Sequence, residues 1–185
     1  MLNFKNILSA LVISAIGLCA FWFSRAAAID QAPKDVMAGI QARIVGGSGG
    51  WNACMHNRQF GPVYGGAARA NPDSVVSIMA YDVSEGPVLV SGETWPEYWS
   101  ISLYEQNSDA FYVLNDRDLP SRDFRLVISD RSVDGLSSGD KFVESPTKRG
   151  IMLIRRYAKE AAVMPGIHAN QDKLSCGLLR EARGD

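Results

Sequence analysis

The residues of this chain best suited to chemistry lie between Trp51 and Tyr157. In "WNACMHNRQF", His56 stands two residues from Cys54 and two from Arg58. A thiol and an imidazole together suggest nucleophilic catalysis, but catalytic pairs of that kind come together from remote parts of a sequence. In "ANPDS", Asn71 and Asp73 offer an amide and a carboxylate beside the start of an apolar run. They could hold a polar ligand or a hard cation, although they bring too few oxygens for calcium. The same residue order also makes a type I turn, with asparagine bonding back to the backbone and proline presetting φ. Asp82, in "AYDVSEG", reads as a strand end. Arg155-Arg156 closes the apolar "GIMLI" run and is expected to pair with a buried carboxylate such as Asp73 or Asp82. Asn71, Asp73, Asp82, His56 and Arg155 therefore form the candidate ligand-binding set. Glu93, Trp95, Glu97, Tyr98 and Tyr104 crowd one hairpin, where rings and carboxylates could line a carbohydrate or peptide cleft or simply make a solvated edge. Trp95, Tyr98 and Tyr104 are the candidate interface residues. No GxSxG elbow, HExxH helix or Rossmann fingerprint occurs, and no Cys/His spacing suits zinc, so no metal site is assigned and the cofactor is unknown.

Those residues must be positioned by elements the pattern also predicts. From Ser74 onward the apolar period is two, with β-branched and aromatic enrichment. Strands are predicted over residues 75–83, 87–91, 98–105, 110–114, 124–129, 142–144 and 150–157. In "EYWSISLYE", Trp99, Ile101 and Leu103 point to one face, and Tyr98, Ser100, Ser102 and Tyr104 to the other. Runs this short, broken by "SEG", "QNSD" and "SVDGLSSGD", predict an antiparallel β-sandwich or jelly-roll-like domain with flanking helices. One helix is expected over residues 33–45, opened by Pro33 and closed by a flexible Gly46–Gly50 connector. A second is expected over residues 169–183, with His168 an ordinary surface residue at its start.

Residues 7–24 form an 18-residue stretch without a charge, bordered by Trp22 and Arg25. That is just long enough to span a bilayer. A retained anchor is expected, with a cleaved secretory signal ending at Ala26-Ala27-Ala28 as the alternative. The resulting divisions are 1–29, the membrane anchor; 30–50, a helix and glycine-rich connector; and 51–185, a β-rich exported domain. The short N-terminal tail favours a single pass of the inner membrane with the domain outside the cytoplasm. Cys54 and Cys176 are the only cysteines outside the apolar segment. They could form one bridge or remain two separate buried thiols. Net charge is −1, from 19 basic and 20 acidic residues, with no basic run beyond the pairs Lys148-Arg149 and Arg155-Arg156. Nucleic acid is therefore not an expected partner.

The run from "ANPDS" to "VLNDR", followed by "VESPTKRGIMLIRRY", resembles the family known as domain of unknown function 1254. The matching positions are Asn71 and Asp73; Asp82, Gly86 and Pro87; Tyr98, Trp99, Ser100 and Tyr104; and Ser145, Pro146, Thr147 and Arg155. The resemblance spans residues 51–179. It departs mildly at Glu105, where an aspartate is usual, and at Ser74, where threonine is common. The resemblance implies a β-rich module and is silent on any reaction. Longer members resemble a two-domain protein whose second module is domain of unknown function 1214. This implies a companion for the present domain: a second envelope protein resembling that module, or a second copy of this chain. The function expected is a membrane-anchored binding or assembly module of the cell envelope, with a hydrolase or metal-assisted enzyme as the alternative.

Overall fold

A computed structural model of the chain describes residues 3–61, 71–119 and 121–179. The β-rich part is a sandwich of two sheets. The first contains β1 (Cys54–His56), β2 (Ser74–Asp82), β4 (Trp99–Glu105), β5 (Ala110–Asn115) and β8 (Arg149–Tyr157), in the order β1-β2-β8-β4-β5. The second contains β3 (Val88–Glu93), β6 (Asp123–Ser129), β7 (Asp140–Glu144) and β9 (Ser175–Leu178), in the order β7-β6-β3-β9. All pairings are antiparallel except β6 with β7, which run parallel. The second sheet is therefore mixed, where alternation alone predicted antiparallel strands throughout.

Alternation sets the core. Met79, Tyr81, Ile101, Leu103, Met152 and Ile154 of the first sheet meet Val88, Val90, Leu126 and Ile128 of the second, all essentially free of solvent. Trp99 stacks on Phe124 across the gap, with ring centroids 5.9 Å apart. Gly150 is glycine for a local reason: a Cβ there would run into the Tyr104 carbonyl and the Tyr81 hydroxyl. That hydroxyl bonds Ser145 Oγ at 3.0 Å, and burial pushes its pKa up to about 12.

Helix α1 runs unbroken from Phe4 to Ser48. The expected start at Pro33 is thus corrected, because Pro33 lies inside the helix. A proline costs a helix one backbone bond. The Lys34–Asp30 and Gln31–Asp35 bonds, one turn apart, support the helix across that point. The helix ends at Gly49 and Gly50, whose φ values of +85° and +157° an L side chain rarely adopts. Only these two residues of the expected glycine connector lie beyond it. The C-terminal part of α1 crosses the outer face of the first sheet strand by strand. Ser108 Oγ, in the β4–β5 turn, donates to the Pro33 carbonyl at 3.1 Å. Met37 and Ile44 then pack with Ala80 of β2 and Ile151 of β8, and Gly47 approaches Met55 of β1. The N-terminal part leaves the domain, with Leu11, Ile13, Ile16 and Phe23 all exposed; its most apolar window has a mean hydropathy of 2.2.

The last helix is also corrected. Helix α2 spans Met164–Asp172, after a 3₁₀ turn at Ala161–Val163, and the chain then becomes β9. Residues 180–183 of the predicted helix lie outside the described residues. The leucine spacing suited a helix, but Cys176 forms a disulfide with Cys54, and β9 pairs with β3 along Val88–Ser91. Tertiary pairing overrides local propensity here. The bridge ties the β1 edge of one sheet to the β9 edge of the other.

Candidate ligand-binding end of the sandwich

Strand alternation sends Arg155 and Arg156 to opposite faces of β8, so one of the two must enter the sandwich. Arg156 does, and it is 2% exposed. Its Nη1 donates to Ser77 Oγ at 2.9 Å, and its Nε donates to Asn170 Oδ1 of α2. Gln171 Nε2 donates to the Asn57 carbonyl at 3.0 Å and, more weakly, to Ser77 Oγ at 3.4 Å. With its oxygen accepting from two donors, Ser77 turns its proton toward His56 Nδ1, 2.9 Å away. That bond requires a neutral His56 ring with its proton on Nε2. Its pKa is lowered in the same sense, by burial first and then by the positive charges of Arg58 and Arg156. Burial also pulls Arg156 down to about 10, which leaves it charged at neutral pH. Among the described residues no carboxylate forms an ion pair with Arg156. The expected partners Asp73 and Asp82 lie elsewhere, so neutral oxygens hold this cation.

Asn170 connects this buried node to a cleft. Its Nδ2 donates to the carbonyls of Glu93 and Thr94, at 3.0 and 3.2 Å. It thereby fixes α2 against the β3–β4 loop. The cleft opens between that loop, the β5–β6 loop and α2, with a volume of about 580 Å³. Trp95, Glu97, Asp116, Arg122, Asn170 and Lys173 line it. Glu93, at its edge, binds Lys173 at 2.8 Å and Arg122 at 3.8 Å. The Trp95 indole N–H donates to the Tyr157 carbonyl at 3.0 Å. A Cβ on Gly166 would sit 3.3 Å from that ring, so the glycine lets α2 close on it.

The family described as "Protein of unknown function (DUF1254)" matches residues 51–177. The chain belongs to this family. Among solved structures it is similar to the VPA0106 protein from Vibrio parahaemolyticus, with TM-score 0.64 and 14% identity over 86% of this chain and 41% of that one. It is also similar to an uncharacterized protein from Burkholderia cenocepacia, with TM-score 0.46 and 14% identity over 88% of this chain and 44% of that one. The chain thus spans less than half the length of either. At such identity the Vibrio likeness establishes shared fold alone. No curated protein matches.

Within this DUF1254 domain the sequence-predicted residues fall in several places. Asn71 and Asp73 form an exposed turn: Asn71 Oδ1 accepts from the Asp73 amide at 3.0 Å, and the Asn71 carbonyl accepts from Ser74. Asp82 lies at the opposite end of β2, bound by Arg149 Nε at 2.7 Å and capping the Ser84 amide. His56 belongs to the buried node between them. Arg155 faces outward, donating to Ser102 Oγ and the Tyr104 hydroxyl. Of the aromatics, Trp95 walls the cleft, Tyr98 is exposed and Tyr104 packs beside α1. Among the described residues no group of three His, Cys, Asp or Glu side chains could hold a metal ion. Ser77, Asn170 and Gln171 carry the node together with Arg156, and of these only Arg156 stands out in the sequence, as half of the Arg155-Arg156 pair. The available signal was the Arg155-Arg156 pair itself, since alternation places one of two neighbours inside.

Proposed function

We propose that this chain is a membrane-anchored binding module of the cell envelope, its sandwich held outside the cytoplasm by α1. One observation carries the reading: the same helix that is apolar and exposed at its N-terminal part is docked on the first sheet at Met37 and Ile44. A span continuous with a docked helix is a stiff stalk, not a flexible tether. The Ala26-Ala27-Ala28 run lies inside that helix, which argues against its use as a cleavage site, because proteases favour exposed, loosely ordered chain. The Cys54–Cys176 disulfide supports the exported side, since such bridges persist in oxidising compartments. Binding is favoured over catalysis because His56, Asp73 and Asp82 stand at different stations along β1 and β2, and chemistry needs partners within about 3 Å. The partner in this reading is a second envelope chain of the companion type or a second copy, meeting the exposed Tyr98 and Val113.

The test is fractionation. The native protein should stay in the membrane pellet after alkaline carbonate, and a reporter fused at its C-terminus should be active only outside the cytoplasm. A soluble chain beginning near Ile29, or a reporter active only inside, overturns the reading.

A further inference from the structure

We infer that the cleft beside α2 binds a saccharide; this rests on the reading of the domain as a binding module and names its ligand class. Its volume of about 580 Å³ falls within the range of small-ligand sites. The lining decides the class. Lys173 and Arg122 are both engaged by Glu93, which lowers their pull on a free anion. Glu97 and Asp116 form no ion pair among the described residues, so each presents open acceptor oxygens. A purely apolar ligand would strand these groups, and a compact cation would use the carboxylates alone and leave the Arg122 and Lys173 donors without a ligand partner. A polyhydroxyl ligand suits both sets, because each hydroxyl can donate to a carboxylate and accept from an ammonium or guanidinium.

Trp95 supplies the apolar surface on which the C–H face of a sugar ring can lie. Its orientation is fixed by the bond to the Tyr157 carbonyl and by Gly166 against the ring. Asn170 is held from behind by Arg156 and in front by two backbone carbonyls. Trp95 and Asn170 are thus ordered before a ligand arrives, and little binding energy is lost in arranging those two walls. The position agrees with an anchored receptor. The cleft lies at the Trp99 end of β4, whereas α1 meets the sheet at the other end, near Tyr104 and Ser108. The stalk leaves the opening uncovered.

The experiment uses the full chain in a detergent without a sugar headgroup, titrated with N-acetylglucosamine trimer and with maltotriose while tryptophan fluorescence is followed. A saturable change with one of them is expected. The Glu97→Gln, Asp116→Asn double variant alters two exposed side chains and should melt as the parent does. It should weaken binding about tenfold, as expected for losing charge-assisted hydrogen bonds. No saturable change with either sugar, or equal affinity in the double variant, overturns the inference. So does tighter binding of a lysine tripeptide than of both sugars, which would mark a cation site. Membrane fractionation reads the anchoring separately, so an anchored protein that ignores sugars sinks this inference and leaves the proposed placement intact.

Discussion

The two ends of the β2–β8 pair carry the same kinds of residue and are held by different physics. At the α1 end, contact is apolar: Met37 and Ile44 cover Ala80 and Ile151, and the nearby Arg149 stays half-exposed in an ion pair with Asp82. At the α2 end an arginine is buried, and hydrogen bonds from Arg156 to Asn170 and Ser77, and from Gln171 to Ser77, bind the helix to the sheet. Apolar contact is non-directional and suits a stalk that must grip a surface. Directional bonds fix orientation, which suits a helix that forms the wall of a cleft.

The largest effect is expected at the polar end. Arg156→Ala removes the donor to Asn170 Oδ1 and the donor from Nη1 to Ser77, and it leaves a cavity. It should cost about 3 kcal/mol in denaturant unfolding, with Arg156→Lys intermediate. A loss below about 1 kcal/mol would mean that the node does not hold α2. Next comes Gly150→Ala near the apolar end, where the new methyl meets the Tyr104 backbone and the Tyr81 hydroxyl. Such overpacking should cost about 1–3 kcal/mol. Because the obstruction is local, the saccharide titration should be unchanged in that variant.

Acid should separate the two ends further. The His56 pKa is lowered in the folded protein by burial and then by Arg58 and Arg156. Above the ordinary value of 6.5 the ring is neutral in both states and contributes no pH dependence. As the pH falls below 6.5 the unfolded chain takes up a proton that the folded one resists, so stability drops until the folded ring also protonates. Denaturation midpoints should fall from pH 7 toward pH 5, and His56→Gln should flatten that slope. An unchanged slope in the variant would sink the role given to the imidazole.

How much of this was legible in the sequence follows the same division. The seven predicted strands all appear, with ends shifted by at most two residues, because period two and β-branched enrichment report local structure directly. β1 and β9 were not legible. Each is short, and each is defined by what it pairs with: β1 by Met79–Ser77, β9 by β3 and by the Cys54 bridge. Pro33 reads as a helix start because its cost is local, whereas what carries α1 past it includes Ser108, 75 residues away. The Asn71 turn was readable, since its bonds span two and three residues. The Arg156 node was not, since it joins residues 14 to 114 positions apart.

The smallest effect is expected from Arg149→Ala, and it tests whether the apolar end really owes little to charge. Arg149 bonds Asp82 at 2.7 Å and lies over the Trp51 ring at 4.8 Å, contacts that look strong on paper. Yet the arginine side chain is 50% exposed, so water and salt screen the pair. An exposed pair of this kind contributes up to about 1 kcal/mol, and a half-exposed cation over a partly buried ring about the same. The loss should therefore stay under about 1 kcal/mol and shrink in high salt. Burial raises the Asp82 pKa, but the bonds from Ser84 and Arg149 outweigh it and hold the carboxyl below its ordinary value. That share of stability is complete above the ordinary carboxylate range and disappears as the pH falls through the lowered value. The difference between parent and variant should close in strong acid, measured as denaturant midpoints side by side. A loss near that of Arg156→Ala, or one insensitive to salt, would show that both ends depend on their arginines alike.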